Sequence, residues 1–158
     1  MSTLIQPTGP SQRDIARDIL RSARFAALGV LGPDGAPVVT RIAFGLSPQG
    51  QPLSLVSDLA THTQALKSTP SASLLLSEPG LKGDPLTHLR LTLQVTASFA
   101  NHGSAEHAEL AAHYLRDHPK AKLYIGFTDF SFALFQVRSG FLNAGFGKAH
   151  ALTPADLS

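Results

Sequence analysis

Residues 88–100 read HLRLTLQVTASFA, and no other stretch limits the fold as tightly. Leu89, Leu91, Leu93 and Val95 recur at every second position, with Arg90, Thr92, Gln94 and Thr96 between them. Successive side chains of a strand point to opposite faces, so this pattern describes a strand with one face in a core and one polar face. Such a strand needs partners. FAALGVL and APVVTRIAFGL flank the turn GPDG and read as a hairpin, PQG turns the chain into QPLSLVS, and SASLLLS follows. FTDFSFALFQVRSG and FLNAGFG read as two closing strands.

Helical periodicity is confined to a few places. PSQRDIARDILRSAR repeats Ile15, Ile19 and Ala23 at four-residue spacing, with Ser11 expected as N-cap and Asp14 three residues later. A short helix is expected over about residues 60–68, and another in PKAKLYIGF. SAEHAELAAHYLRDH gives a longer one, capped by Ser104 and burying Leu110, Ala111, Tyr114 and Leu115. Long strand–helix–strand crossovers are missing from this order. A mainly β fold with short helices is therefore expected, with a mostly antiparallel sheet or barrel rather than a doubly wound one. The 158 residues suit one domain spanning 1–158, with 1–10 expected as a flexible N-terminus.

Composition narrows the function. Net charge is +2 and basic residues are scattered, so neither nucleic acid nor a membrane surface is expected as partner. The chain has no cysteine, which removes disulfides and thiolate chemistry. Seven histidines form no His-Glu-x-x-His stretch, so no metal site is expected. The first ten residues lack the basic start and apolar run of a signal peptide, and no run approaches the length of a membrane span; a cytoplasmic location is expected. Charged residues are only 15%, which fits a subunit that hides part of its surface in an oligomer.

Two features suggest an anion. Arg41 and Arg90 each sit mid-strand between apolar neighbours, and a guanidinium fork is the natural bidentate partner of a phosphate. In SDLATHTQAL, Ser57, Thr61, His62 and Thr63 stand where a strand hands over to a helix. Hydroxyls there can cap the helix, and its free N–H groups can also receive an anion.

TRIAFG, LSLVSDLATHTQAL, TPSASLLLS and LRLTLQVTA together resemble the FMN-binding split barrel of pyridoxamine-5'-phosphate-oxidase-like proteins. HYLRDHPKAKLYIGFTDFSFALFQV and LNAGFGKAHALTPADL are similar to the haem-utilisation, HugZ-type branch of that superfamily. The resemblance covers roughly residues 12–157. It implies a six-stranded antiparallel split β-barrel, dimeric, with FMN at the subunit interface. By the same resemblance Arg41, beside Ile42, matches the strand arginine that contacts the flavin phosphate. His62 takes the place of a basic phosphate ligand, with Ser57, Thr61 and Thr63 as donors around it, and Arg90 reaches the flavin ring edge. Asp129 matches an acidic residue near the haem of haem-degrading members.

The expected cofactor is FMN, with haem as the alternative, and the expected partners are a small substrate or electron donor and a second copy of the chain. The chain has no tryptophan, so the Trp/Arg/His segment that holds pyridoxamine phosphate in the oxidases is not matched. No histidine follows His150 to serve as the tail ligand of the haem branch. Three functions stay open: a flavin-dependent oxidoreductase, a haem-binding or haem-degrading protein on the same barrel, and a non-catalytic flavin-binding module.

Overall fold

The alternating stretch forms the strand Arg90–Ala100, and its apolar positions Leu91, Leu93 and Val95 are buried while Gln94 and Ser98 are exposed. In the computed structural model, which describes residues 5–158, it lies near the middle of one mixed sheet. In chain order the elements are β1 (Ile5–Gln6), α1 (Pro10–Ser22), β2 (Phe25–Leu31), β3 (Pro37–Ala43), β4 (Gly45–Leu46), β5 (Pro52–Ser57) and α2 (Thr61–Ser68). They continue with β6 (Ser71–Leu76), β7 (Arg90–Ala100), α3 (Ala105–Tyr114), β8 (Phe130–Asn143), β9 (Ala149–Leu152) and α4 (Pro154–Leu157). The sheet runs β1-β9-β8-β7-β6-β2-β3, with β5 on β8 and β4 on β5.

The fold is the split barrel. β8 is long enough to carry two neighbours on one edge: β5 pairs with Phe130–Leu134, and β9 pairs with Gly140–Asn143. β7 follows its other edge throughout, with one register shift between Gln94 and Val95. β3 ends the sheet and approaches β5 without pairing, so the barrel does not close. β2, β3, β5, β6, β7 and β8 are the six strands of six residues or more, and the short β1, β4 and β9 raise the count to nine. β1 pairs with β9 in parallel, and every other ladder is antiparallel. Of the segment 1–10, residues 1–4 lie outside the described residues, and Ile5–Gln6 pairs with Ala149–His150.

Two sequence expectations need correction. The two closing strands are one continuous strand, because Gly140 does not interrupt it. A Cβ at Gly140 would sit 3.2 Å from Leu157 Cδ1 and 3.3 Å from Leu152 Cβ, so the glycine admits a close approach of β9 and α4. α1 is capped at Gly9, not Ser11: Pro10 occupies the first helical position, where its missing N–H costs nothing. The Gly9 N–H donates to Gln12 Oε1 at 2.9 Å. The short helix expected in PKAKLYIGF is present as a 3-10 helix at Pro119–Leu123. α3 does start at the Ser104 cap, whose Oγ accepts from the His107 N–H at 3.1 Å.

Two apolar clusters hold the fold together. Inside the barrel, Leu28, Phe44, Leu66, Leu74, Leu76, Leu91, Leu93 and Phe135 are all buried, with Ala16, Ile19 and Leu20 of α1 closing one side. On the other face of β5 and β8, Leu53, Leu55, Phe132 and Leu134 pack against Leu110 and Tyr114 of α3. β5 is thus buried on both faces, with Ser54 fully buried between Leu53 and Leu55. No helix among the described residues is long and apolar enough to cross a membrane.

α4 is tied to α1 by one charged contact. Arg13 Nε donates to Asp156 Oδ1 at 2.8 Å, while Asp156 Oδ2 accepts from the Thr153 N–H at 2.8 Å and hydroxyl at 3.0 Å. The Thr153 backbone and Arg13 hold this carboxyl down at about 2, below the ordinary 3.8. A carboxylate depressed in the folded state stabilises it above the unfolded value and loses that effect as pH falls through the folded one. Acid should therefore loosen the α1–α4 contact between about pH 4 and pH 2. Asp156→Asn is expected to lower the melting temperature at neutral pH and to flatten that part of the acid limb, read by circular dichroism melts across pH.

Candidate functional site

The open side of the barrel is where four of the sequence-derived candidates, Arg41, Ile42, Ser57 and His62, meet. β3 is an edge strand, so the gap between it and β5 leaves a cavity of about 320 Å³. Arg41, Ile42 and Ala43 line it from β3, Leu55 to Ser57 from β5, Ala60 and His62 from the start of α2, Tyr124 from the segment before β8 and Phe130 from the first residue of β8.

Each candidate has a definite place. Arg41 is largely exposed: its guanidinium lies 5.5 Å from the centroid of the Phe25 ring and 3.6 Å from Glu78 Oε1. An ion pair this exposed is weak, so the side chain can be recruited by a ligand at little cost. His62 is half-buried, and its Nδ1 sits 3.4 Å from Thr40 Oγ1. Desolvation pushes its pKa below the ordinary 6.5, so the ring is neutral at pH 7. Because the folded state resists its protonation, acid costs stability as pH falls below that value.

Ser57 organises the turn. Its hydroxyl donates to Asp129 Oδ2 at 2.6 Å and accepts from the Leu59 N–H at 3.1 Å, and the Asp58 N–H donates to Asp129 O at 2.7 Å. Asp129 therefore stands beside the cavity, fastened to Ser57. α2 follows the N-cap Ala60, which makes no side-chain cap hydrogen bond, and the Thr63 N–H donates to Ala60 O at 3.1 Å. Thr61 is exposed on that turn. Thr63 points inward, fully buried, and its Oγ1 has no hydrogen-bond partner among the described residues.

Arg90 is placed elsewhere. β7 is separated from β3 by β6 and β2, and Arg90 Nη1 donates to Leu86 O at 2.9 Å and His88 O at 3.2 Å, holding its own preceding loop. Within one chain it does not reach the cavity.

Reasoning from the sequence passed over the aromatic wall. Tyr124 and Phe130 stand with ring centroids 5.0 Å apart, and Phe127 packs edge-on against Phe130 at 6.3 Å. The available signal was the three-residue spacing of Tyr124, Phe127 and Phe130 in YIGFTDF. A larger cleft of about 520 Å³ lies between α1, α4 and β8, lined by Arg17, Leu46 and Leu157 among others. Its one aromatic, Phe135, is fully buried in the barrel core, and none of the candidate residues touches that cleft.

The model of the pyridoxamine 5'-phosphate oxidase family matches residues 13–140. The chain is 36% identical over 101 residues to the chloroplastic haem oxygenase HOZ of Arabidopsis thaliana, covering 63% of this chain and 29% of that protein. A solved haem-binding protein from Mycobacterium smegmatis is 31% identical with a TM-score of 0.82, covering 95% of this chain and 61% of that one. Campylobacter jejuni ChuZ shares the fold at a TM-score of 0.84 and 18% identity, over 98% of this chain and 63% of that one. The chain thus spans less than a third of the plant relative and under two thirds of these two bacterial structures.

Proposed function

Since the chain belongs to the pyridoxamine 5'-phosphate oxidase family, whose fold accepts either a flavin or a haem, we propose that this member is a haem-binding protein of haem utilisation. The observation that carries the reading is the make-up of the cavity: an aromatic pair, Tyr124 and Phe130, together with one cation, Arg41, and the neutral imidazole of His62. A flat apolar macrocycle with carboxylates at one edge asks for that combination. The names of HOZ and the mycobacterial relative point the same way.

The residues fit the group. Tyr124 and Phe130 offer faces for stacking, and exposed Phe127 extends that apolar surface outward. Arg41 can leave Glu78 for a propionate. The cavity, at about 320 Å³, is near the lower limit for a small-ligand site, so a tetrapyrrole would extend past one chain. A second copy completes the site. Phe25, Val39 and Leu75 stand exposed on the outer face of β2, β3 and β6 beside it, and covering them in a homodimer would bury this patch. When bound, haem supplies the oxygen-activating iron; the chain's residues bind it, orient it and shield it from water.

FMN remains the second reading, favoured by one specific feature. The uncapped start of α2, between Arg41 and His62, is a ready phosphate seat. Titration separates the two. Hemin followed by its Soret band should bind stoichiometrically per chain, with FMN, followed by flavin fluorescence, far weaker. Tight FMN binding without a hemin Soret shift would overturn the haem reading in favour of a flavoprotein.

A further inference from the structure

Resting on the haem reading, we propose that His62 would ligate the haem iron, held for that role by Thr40. The other histidines are placed for other work. His88 is engaged at both nitrogens, Nδ1 accepting from the Gly80 N–H and Nε2 meeting Lys82 O. His118 Nε2 bonds Phe44 O while its ring stacks on Tyr114, and buried His150 bonds Pro7 O through Nδ1. His107 is buried against Phe132 with His102 beside it, behind the second core cluster. His113 borders a different cleft, near Asp117. Only His62 lines the cavity with the aromatic pair.

The geometry of its ring is that of a ligand with outer support. A metal-bound imidazole usually hands the hydrogen of its second nitrogen to an oxygen, which fixes the tautomer and aims the lone pair. Thr40 Oγ1, 3.4 Å from Nδ1, stands where that oxygen would be in the Nδ1–H tautomer, and Nε2 makes no hydrogen bond among the described residues. Thr40 reaches the ring because it lies on the barrel-facing side of β3, opposite Leu28, whereas its neighbour Arg41 points outward. One edge strand thus supplies a carboxylate partner and a ligand support at consecutive positions. Tyr124, whose phenol borders the same cavity, is the rival donor.

The test uses the full chain with hemin, read by absorption and by low-temperature EPR of the ferric complex, with affinity measured separately by quenching of tyrosine fluorescence. His62→Ala should still bind hemin through its aromatic wall but shift the Soret band and change the EPR signal. Added imidazole should restore both, which also shows that the variant is folded. Thr40→Val should keep the wild-type type of spectrum and weaken hemin about ten-fold or more. Wild-type spectra in His62→Ala would overturn the assignment while leaving the haem reading standing. Loss of the signature in Tyr124→Phe but not in His62→Ala would make the phenol the ligand. A wild-type chain that binds no hemin would remove the haem reading itself, and this inference with it.

Discussion

Phe25→Asp combined with Leu75→Asp is expected to turn a homodimer into a monomer and to weaken hemin binding along with it. Phe25, Ala27 and Gly29 alternate with buried Ala26, Leu28 and Val30 along β2, so the odd positions face out. Leu75 on β6 and Arg41 on β3 both lie in register with Ala27, which gathers Phe25, Leu75, Val39 and the Arg41 guanidinium into one surface. Burying an aromatic or leucine side chain yields about 1.5–3 kcal/mol, and burying an unpaired carboxylate in its place adds a larger penalty. Two such changes exceed what an interface of ordinary size can absorb. Light scattering would read the mass. A wild-type chain that already runs as a monomer at micromolar concentration would overturn the shared site.

The other large effect is on folding. Phe132 is fully buried between β5 and α3, with its ring 5.2 Å from His107 and 5.3 Å, edge-on, from Tyr114. It lies on β8, two residues after Phe130 of the aromatic wall. Phe132→Ala should cost about 3–5 kcal/mol, since the surrounding strands relax only partly into the cavity. For a chain of this size that lowers the melting temperature on the order of 10 °C. A shift of only a degree or two would mean that α3 and β8 are packed far less firmly than the structure shows.

Much of this fold was legible because its strands announce themselves by alternation. Arg90–Ala100 and the hairpin around GPDG appear where period-two reasoning puts them. The errors have local causes. Gly140 looked like punctuation, yet it is a packing glycine inside a 14-residue strand, and that depends on Leu152 and Leu157, which are distant in sequence terms. β1, β4 and β9 are too short to show periodicity; pairing with neighbours makes them strands.

The site was legible only in part. A strand arginine and a hydroxyl-rich turn are local signals, and Arg41, Ile42, Ser57 and His62 do converge in one cavity. Arg90 carries the same local signal as Arg41 and stands three strands along the sheet, because sheet order is not written in any one strand. Ser57 shows a second limit: its hydroxyl is committed to Asp129 and to its own turn, which only the assembled fold reveals. Asp129 and the aromatic wall reach the cavity across more than 60 residues of chain, a closure that no short motif encodes.

The most direct test of the proposed haem pocket is a map of amide shifts in the protein's proton–nitrogen NMR spectrum as gallium protoporphyrin, a diamagnetic stand-in for haem, is added. The account predicts that the largest shifts fall on Ile42, Ala60, His62, Tyr124 and Phe130, around the gap between β3 and β5. Shifts centred instead on Arg17, Leu46 and Leu157, at the larger cleft beside α1, would contradict it.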